Sequence, residues 1–281
     1  AWGLDMALYL LTKGIATGAM LIAGALWLLG AHGPMTQFAA PIVSLVFSIL
    51  TAVVLIIDLE RPERFYYILI RPNWRSWMTW GAYFLTAHGL LSTVWIAAAF
   101  FGLPQVITWI AVPTLLVALA ATSYTGFLFA QGLARDLWQG PYAAIDLIAQ
   151  AIVEAAAVLL IIAPFVDVGY AGGGVSRALT ITLFGALAIH LVFLVFENLL
   201  APSPTRHHEL AVAAIRRGPY ARLFWGLSLG LGGVVPLALL GFGIAGTLTG
   251  PIVTAASLLA LAGAFAWEYV WVDAGQCVPI S

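Results

Sequence analysis

The chain has 281 residues, of which 63% are hydrophobic and only 8% are charged. A water-soluble protein of this length could not cover its surface with so few polar side chains, so the composition predicts a polytopic membrane protein. The net charge of −1 gives no support to a nucleic-acid partner, and the single cysteine, Cys277, excludes a disulfide framework and any cysteine-ligated iron–sulfur cluster in this chain.

Eight apolar segments follow one another along the chain, and each is long enough to span roughly 30 Å of hydrocarbon. They are apolar on all sides rather than alternating in polarity, which indicates helices and not the strands of a barrel. The segments are about 6–29, 39–57, 78–100, 105–130, 144–166, 177–200, 222–243 and 250–272. We therefore predict an all-α polytopic fold with eight transmembrane helices. Residues 1–5 lack the basic region of a signal peptide, so no cleavable signal is expected.

The connections suggest two four-helix bundles, 1–143 and 144–281. Short Gly/Pro connections at 30–34, 102–104 and 246–251 imply antiparallel neighbours, and Gly-Pro-Tyr-Ala occurs at both 140–143 and 218–221, each time just before a helix. The simple interpretation of this repeat is proline at a helix start. The alternative is a trace of two related halves, an arrangement found in many membrane proteins.

The longer connections, 58–77, 131–143 and 201–221, are predicted to share one membrane face with both chain ends. We call it the arginine-rich face, because nine of the arginines fall there and only Arg177 falls on the other face. The positive-inside rule would place this face in the cytoplasm. A docking surface for a soluble subunit would produce the same asymmetry, so the orientation stays open.

Few ionisable residues lie within the predicted helices, and such residues in a membrane face the bundle interior, pair, or line a proton or ligand path. They are Lys13, His88, Glu154, His190, Glu197 and Glu268, with Asp58 and Asp146 at helix ends. A structural hydrogen bond or snorkelling to the surface is the simpler alternative for any one of them. Tyr9 and Lys13 share a helix face, and His190 and Glu197 lie two turns apart, about 10 Å along one helix.

If the helices alternate in direction, several of these groups cluster toward the arginine-rich face, namely Tyr9, Lys13, Asp58, Tyr124, Glu197 and Glu268. An apolar pocket with a tyrosine, a carboxylate and a cation suits a quinone, whose carbonyls accept hydrogen bonds and whose reduction consumes two protons. A proton- or ion-coupled transporter would fit the same composition. His88 and His190 could also ligate one haem, but two haems would need more buried histidines.

The most densely charged stretch is Asp58-Leu-Glu-Arg-Pro-Glu-Arg-Phe65, with five charged side chains in eight residues. Together with Arg71-Pro72 and Ser76-Trp77-Met78-Thr79-Trp80-Gly81, it resembles the polysulfide reductase membrane subunit family (NrfD/PsrC-like). Three further stretches agree with that family: Ala7-Leu8-Tyr9-Leu10 with Gly14 and Gly18, Ser123-Tyr124-Thr125-Gly126, and Ala274-Gly275-Gln276.

The resemblance implies a subunit of the prokaryotic cytoplasmic (inner) membrane, without its own haem or iron–sulfur cluster. It would bind menaquinone or ubiquinone among the first four helices and exchange electrons with a ferredoxin-like iron–sulfur subunit. That partner is joined to a molybdopterin or multihaem catalytic subunit, so this chain alone is not expected to act on the soluble substrate. In the family the docking face is frequently periplasmic, which conflicts with the positive-inside argument.

Residue roles follow from the same resemblance. It implies quinone contacts for Tyr9 and Tyr124, and Asp58 matches the acidic residue that opens the family's charged loop. We expect Asp58 and Lys13 to tune the protonation of the quinone. The proton path would use His190, Glu197 and Glu154, and the docking surface would use Arg61, Arg64, Arg71 and Arg75. The sequence departs from the family pattern at His190, where a carboxylate is expected, at Lys13, and at Glu268 and Asp273, which lie where an arginine is more usual. Lys13 could act on the quinone or pair with Asp58.

Overall fold

A computed structural model of the chain describes residues 2–59, 61–166, 174–246 and 250–278, so that Glu60 and half of the connection at 246–251 lie outside the described residues. In the described part, the regular structure is helical and eight helices are long and apolar enough to cross a membrane. The helices are α1 Leu4–Leu28, α2 Met35–Ile57, α3 Trp77–Phe100, α4 Pro104–Ala130, α5 Ala143–Val166, α6 Gly174–Leu200, α7 Arg206–Arg217, α8 Leu223–Ile244 and α9 Gly250–Ala274, of which α7 is the short surface helix. The predicted all-α polytopic fold is confirmed, and each predicted segment lies within a few residues of a helix.

Three of the spanning helices contain wider, π-helical turns. α2 begins with one at Met35–Ala39, α6 ends with one at Phe196–Leu200, and α8 is π-helical over Leu223–Val234. Turns of this kind are rare and often lie at functional sites. Glu197 lies in the wide turn of α6, so the α-helical spacing assumed between it and His190 holds only as far as Val195.

Helix α1 lies at the centre of the bundle. In its most apolar stretch 89% of the residues are buried, against 22% in α2 and in α3. Small residues allow this enclosure: a Cβ added at Gly18 would overlap the carbonyl oxygen of Ala151 and lie 2.7 Å from the Cβ of Ala155. Close packing through small residues is the main source of helix association in a membrane. Helices α1 and α5 therefore approach backbone to backbone, and α1 also packs against α2, α4 and α9.

Most of the remaining contacts join helices that follow one another along the chain. α2 packs on α3 and α3 on α4, while α5 packs on α6 and on α9, and α9 on α8. The largest buried apolar cluster is formed by α1 and α5 with side chains from most of the other spans. The division into two bundles, between residues 143 and 144, stays a prediction. Helix α1 of the first predicted bundle packs against α5 of the second.

The two described ends of the chain meet on one face of the bundle. The backbone N–H of Trp2 donates to Oε1 of Gln276 at 2.8 Å, and the side-chain amide of Gln276 donates to the carbonyl of Trp2. Arg135 donates to the carbonyls of Gln276 at 3.1 Å and Val278 at 2.9 Å. Amphipathic α7 begins at an N-cap, where Thr205 accepts from the N–H of His208 at 3.1 Å, and it buries Ala211, Val212 and Ile215. The ends, the 131–143 connection and α7 thus lie together on the arginine-rich face.

Candidate functional site

Two buried tyrosines meet between α1 and α4. Tyr9 lies five residues after the start of α1 and Tyr124 six residues before the end of α4, so antiparallel helices place both at a similar depth below the arginine-rich face. Their hydroxyl groups hydrogen-bond to each other. Gly81 on α3 provides the space, because a Cβ there would meet the Tyr124 hydroxyl at 2.7 Å. We call these two residues the tyrosine pair.

Lys13 places a cation beside the tyrosine pair. Its side chain is 1% exposed, and its Nζ lies 5.5 Å from the ring centre of Tyr9 and 5.0 Å from that of Tyr124. Nζ donates to the carbonyl of Thr122 at 3.1 Å and to the hydroxyl of Thr125. The expected pairing with Asp58 is not formed, because Asp58 is exposed at the C-terminal end of α2 and has no ion pair within the described residues.

Two buried carboxyl groups, Glu154 on α5 and Glu268 on α9, lie close enough to Lys13 to interact with it electrostatically. Glu154 is 0% exposed and Glu268 is 2% exposed. The carboxyl group of Glu154 packs against the bare backbone of Gly14, where an added Cβ would lie 3.1 Å from its Cδ. The two carboxyl groups interact with each other and with Lys13. Both oxygens of Glu154 and one oxygen of Glu268 accept no protein hydrogen bond from the described residues.

A row of polar side chains leads along α5 from the membrane edge to this carboxyl pair. Asp146, Gln150 and Glu154 follow at intervals of four residues, so they lie on one helix face over about 12 Å. Nδ1 of His190 donates to Oδ1 of Asp146 at 2.8 Å, and Gln150 donates to Oδ2 at 2.8 Å. We did not predict that Asp146 would be the partner of His190, or that Gln150 would belong to this row. Their four-residue spacing is the sequence signal that indicates them.

A cavity of about 230 Å³ opens near the outer end of this row, with acidic and apolar side chains in its wall. It lies between the 136–143 connection, the wide turn of α6 and the two tryptophans Trp267 and Trp271. Glu197 is half-buried in its wall and interacts electrostatically with Asp146 and His190. Glu197 therefore lies between this cavity and the buried polar row.

An apolar cleft of about 340 Å³ lies on the opposite side of the tyrosine pair, between α2, α3 and the turn at 65–69. Its walls are mainly aliphatic. Leu55 and Leu85 line the cleft and also pack against the cluster that contains Tyr9 and Tyr124. These two leucines thus separate an apolar space of ligand size from the tyrosine hydroxyl groups.

The connection after α2 covers this cleft and exposes four arginines, Arg61, Arg64, Arg71 and Arg75. None of the four forms an ion pair within the described part of the chain, and Arg71 lies 6.0 Å from the ring centre of Tyr67. Tyr83 on α3 donates to the carbonyl of Leu69 at 2.7 Å and so fastens the connection to the bundle. The described residues of this connection thus form a solvent-facing cover above an apolar space.

The two intramembrane histidines are held by different helices. Nε2 of His88 lies 2.9 Å from the hydroxyl of Ser44 on α2 and 3.2 Å from the carbonyl of Ala16 on α1, whereas His190 bonds to α5. A haem between them would require both rings to leave these partners. The geometry therefore gives no support to the single-haem alternative.

Comparison with known proteins agrees with the motifs. The family described as polysulphide reductase, NrfD, matches residues 1–280. A protein of Halobacterium salinarum, named provisionally as a membrane subunit of dimethyl sulfoxide reductase, is 29% identical over 270 residues, covering 85% of this chain and 61% of its own length. The chain thus spans about three fifths of the curated relative that it matches. Since the family match extends over nearly the whole sequence, the chain belongs to the NrfD polysulphide reductase family.

Proposed function

We propose that this chain is the quinone-reactive membrane subunit of an oxidoreductase complex. The observation that supports this most directly is the buried tyrosine pair with Lys13 on one side and the apolar cleft on the other. A quinone has an apolar tail and two carbonyl oxygens, and it therefore needs an apolar space that ends at hydrogen-bond donors. The cleft offers the apolar space, and the tyrosine pair, behind Leu55 and Leu85, offers the donors. Menaquinone and ubiquinone fit this description equally.

Each residue near the tyrosine pair has a definite part in this proposal. Tyr124 and Tyr9 would donate hydrogen bonds to a quinone carbonyl, in place of the bond between them. Lys13 would stabilise negative charge on the reacting oxygens, because a fixed cation in a dry site acts strongly. Asp58 is exposed and outside this cluster, so any part it plays in quinone protonation would be at the entrance and not at the tyrosine pair.

Quinone reduction takes up two protons and quinol oxidation releases them, so the site needs a proton route to water. We propose that this route begins at Glu197 in the wall of the 230 Å³ cavity and continues through His190 and Asp146 to Glu154. The support is the direct His190–Asp146 bond and the single α5 face shared by Asp146 and Glu154. The route would therefore run from the arginine-rich face to the centre of the bundle.

The electrons require a partner, because the single cysteine leaves no cysteine-ligated cluster in this chain. We propose that a ferredoxin-like iron–sulfur subunit docks on the four exposed arginines of the 61–75 connection. A molybdopterin or multihaem subunit would complete the complex in a prokaryotic cytoplasmic membrane. The dimethyl sulfoxide reductase name of the relative favours the molybdopterin type, although this chain spans only 61% of that relative.

Quinone binding to a Tyr124→Phe variant tests the site. The change removes one hydroxyl group and keeps the ring, so we expect the Kd for a quinone analogue to rise about five-fold, equivalent to one hydrogen bond of about 1 kcal/mol. Tyr269→Phe is the matched control, because Tyr269 is partly buried on α9 in a different cluster. Equal affinities for wild type and Tyr124→Phe would remove Tyr124 from the quinone site.

A further inference from the structure

We propose that Glu154 and Glu268 form a carboxyl pair that holds one proton between them, with Lys13 as the neutralising cation. The pair would be a proton-binding site at the contact of α1, α5 and α9. Its occupancy by one proton is a property of this chain alone. Its use in quinone turnover rests on the proposed function.

Burial of the three groups limits their charge states. Lys13, Glu154 and Glu268 are each at most 2% exposed, so their net charge is not compensated by water. With both carboxyl groups ionised the cluster would have a net charge of −1, and with both protonated it would have +1. With Lys13 charged, one shared proton is the state that gives neutrality, and a neutral cluster costs least in a dry interior.

Among the described residues of the surrounding helices, the other charged group that acts on the pair is Asp146. On α5 the next acidic group is Asp146, and it is already bonded to His190 of α6 and to Gln150. On α1, Lys13 is the only charged residue near the pair, since Asp5 lies in the first helical turn and is exposed. On α9, Asp273 lies nearer the surface and accepts a hydrogen bond from Tyr220 at 2.7 Å.

The hydrogen-bonding pattern agrees with a proton held between the two carboxyl groups. Both oxygens of Glu154 and Oε2 of Glu268 have no protein donor among the described residues. A buried carboxylate without any donor is costly, whereas an acid that donates to a neighbouring carboxylate satisfies both groups. Gly14 contributes by leaving space for the Glu154 carboxyl group against α1.

The position of the pair explains what such a proton could do. Lys13 is four residues from Tyr9, and Glu154 ends the polar row of α5, so the pair lies between the tyrosine pair and the proposed proton route. A proton delivered along α5 would be stored here until the quinone site requires it. Release of that proton toward the tyrosine pair would leave a net charge of −1, which favours prompt replacement through Asp146.

Infrared spectroscopy of the purified chain tests the proton count, because a protonated carboxylic acid has a carbonyl stretching band that shifts in D₂O. We expect wild type to show one such buried acid. Glu154→Gln and Glu268→Gln should each abolish the band completely, because the remaining carboxylate then pairs with Lys13. Lys13→Gln should double the band, because neutrality then requires both acids to be protonated.

Two controls make the result decisive. Glu209→Gln alters a surface carboxylate that pairs with Arg206 at 2.7 Å, and it should leave the buried band unchanged. Glu268→Asp keeps a carboxyl group and should keep the band, which separates proton sharing from misfolding. The proposal would be overturned if Glu154→Gln and Glu268→Gln each lost only half of the band. An unchanged band in Lys13→Gln would overturn it too. The measurement needs neither quinone nor partner, so a failure of the quinone proposal would be seen separately, in the Tyr124→Phe titration.

Discussion

Gly81→Ala tests whether the position of the Tyr124 hydroxyl determines quinone affinity. The new Cβ would meet that hydroxyl at 2.7 Å, and the ring carbons are closer still, whereas non-bonded carbon atoms prefer about 3.5 Å. The Tyr124 ring must therefore move by roughly 1 Å, which is enough to break a hydrogen bond. We expect the Kd for a quinone analogue to rise about five-fold, from one lost bond of about 1 kcal/mol.

Stability should fall by about 0–2 kcal/mol. Overpacking costs about 1–3 kcal/mol, and the higher helix propensity of alanine offsets about 1 kcal/mol of it. Gly185→Ala is the control, because an added Cβ there meets nothing within 4 Å and the residue also lies inside a spanning helix. It should bind the analogue as wild type does and should not lower Tm.

A fluorescence titration of the analogue on purified protein measures the effect, with Tm recorded for each variant. The double variant Gly81→Ala with Tyr124→Phe provides a mutant cycle. If Gly81 acts through the hydroxyl, its substitution should add little once the hydroxyl is gone. Wild-type affinity in Gly81→Ala, or a full five-fold further loss in the Tyr124→Phe background, would refute the argument.

Three further outcomes follow from the site and its surroundings. Arg61→Glu with Arg64→Glu should prevent co-purification of an iron–sulfur subunit, while Arg177→Glu on the other face should not; an intact complex in the first variant would contradict the docking surface. Glu197→Gln should slow quinone-coupled turnover on the order of ten-fold or more without changing quinone affinity, and an unaltered rate and pH profile would remove Glu197 from the route. Burial lowers the pKa of His208, although Asp136 opposes this, so the folded chain prefers the neutral ring. Tm should therefore fall as the pH drops below about 6.5, and less steeply in His208→Gln; equal slopes would exclude that contribution.

The sequence predicts the helices well because each span is a long apolar run whose ends are marked by Gly, Pro or charge. It also predicts that Tyr9, Lys13 and Tyr124 lie together, since alternating helix directions fix their depths. Depth alone does not fix which side of a helix faces a neighbour. For that reason Asp58, at a suitable depth, was expected in the cluster but is exposed at the end of α2.

The contacts of Glu154 and Glu268 could not be predicted for a related reason. They depend on α1 and α5 approaching at Gly14 and Gly18, and glycines in an apolar run fit many other helix arrangements. The pairing of His190 with Asp146 depends on packing of α5 against α6. A four-residue polar spacing on α5 indicates a buried face, but it does not identify the helix that supplies the partner.

The enclosure of α1 has a consequence for biogenesis. Synthesis proceeds from the N-terminus, so α1 enters the bilayer before the ribosome has produced α5 and α9. At that moment Lys13 has neither Glu154 nor Glu268 beside it, and a lone lysine at mid-helix costs about 3 kcal/mol during insertion. The Lys13 side chain of the nascent α1 must therefore stay in contact with water or with a chaperone until the later helices are inserted. The helix that is most deeply enclosed in the finished bundle is thus the one that waits longest for its final neighbours.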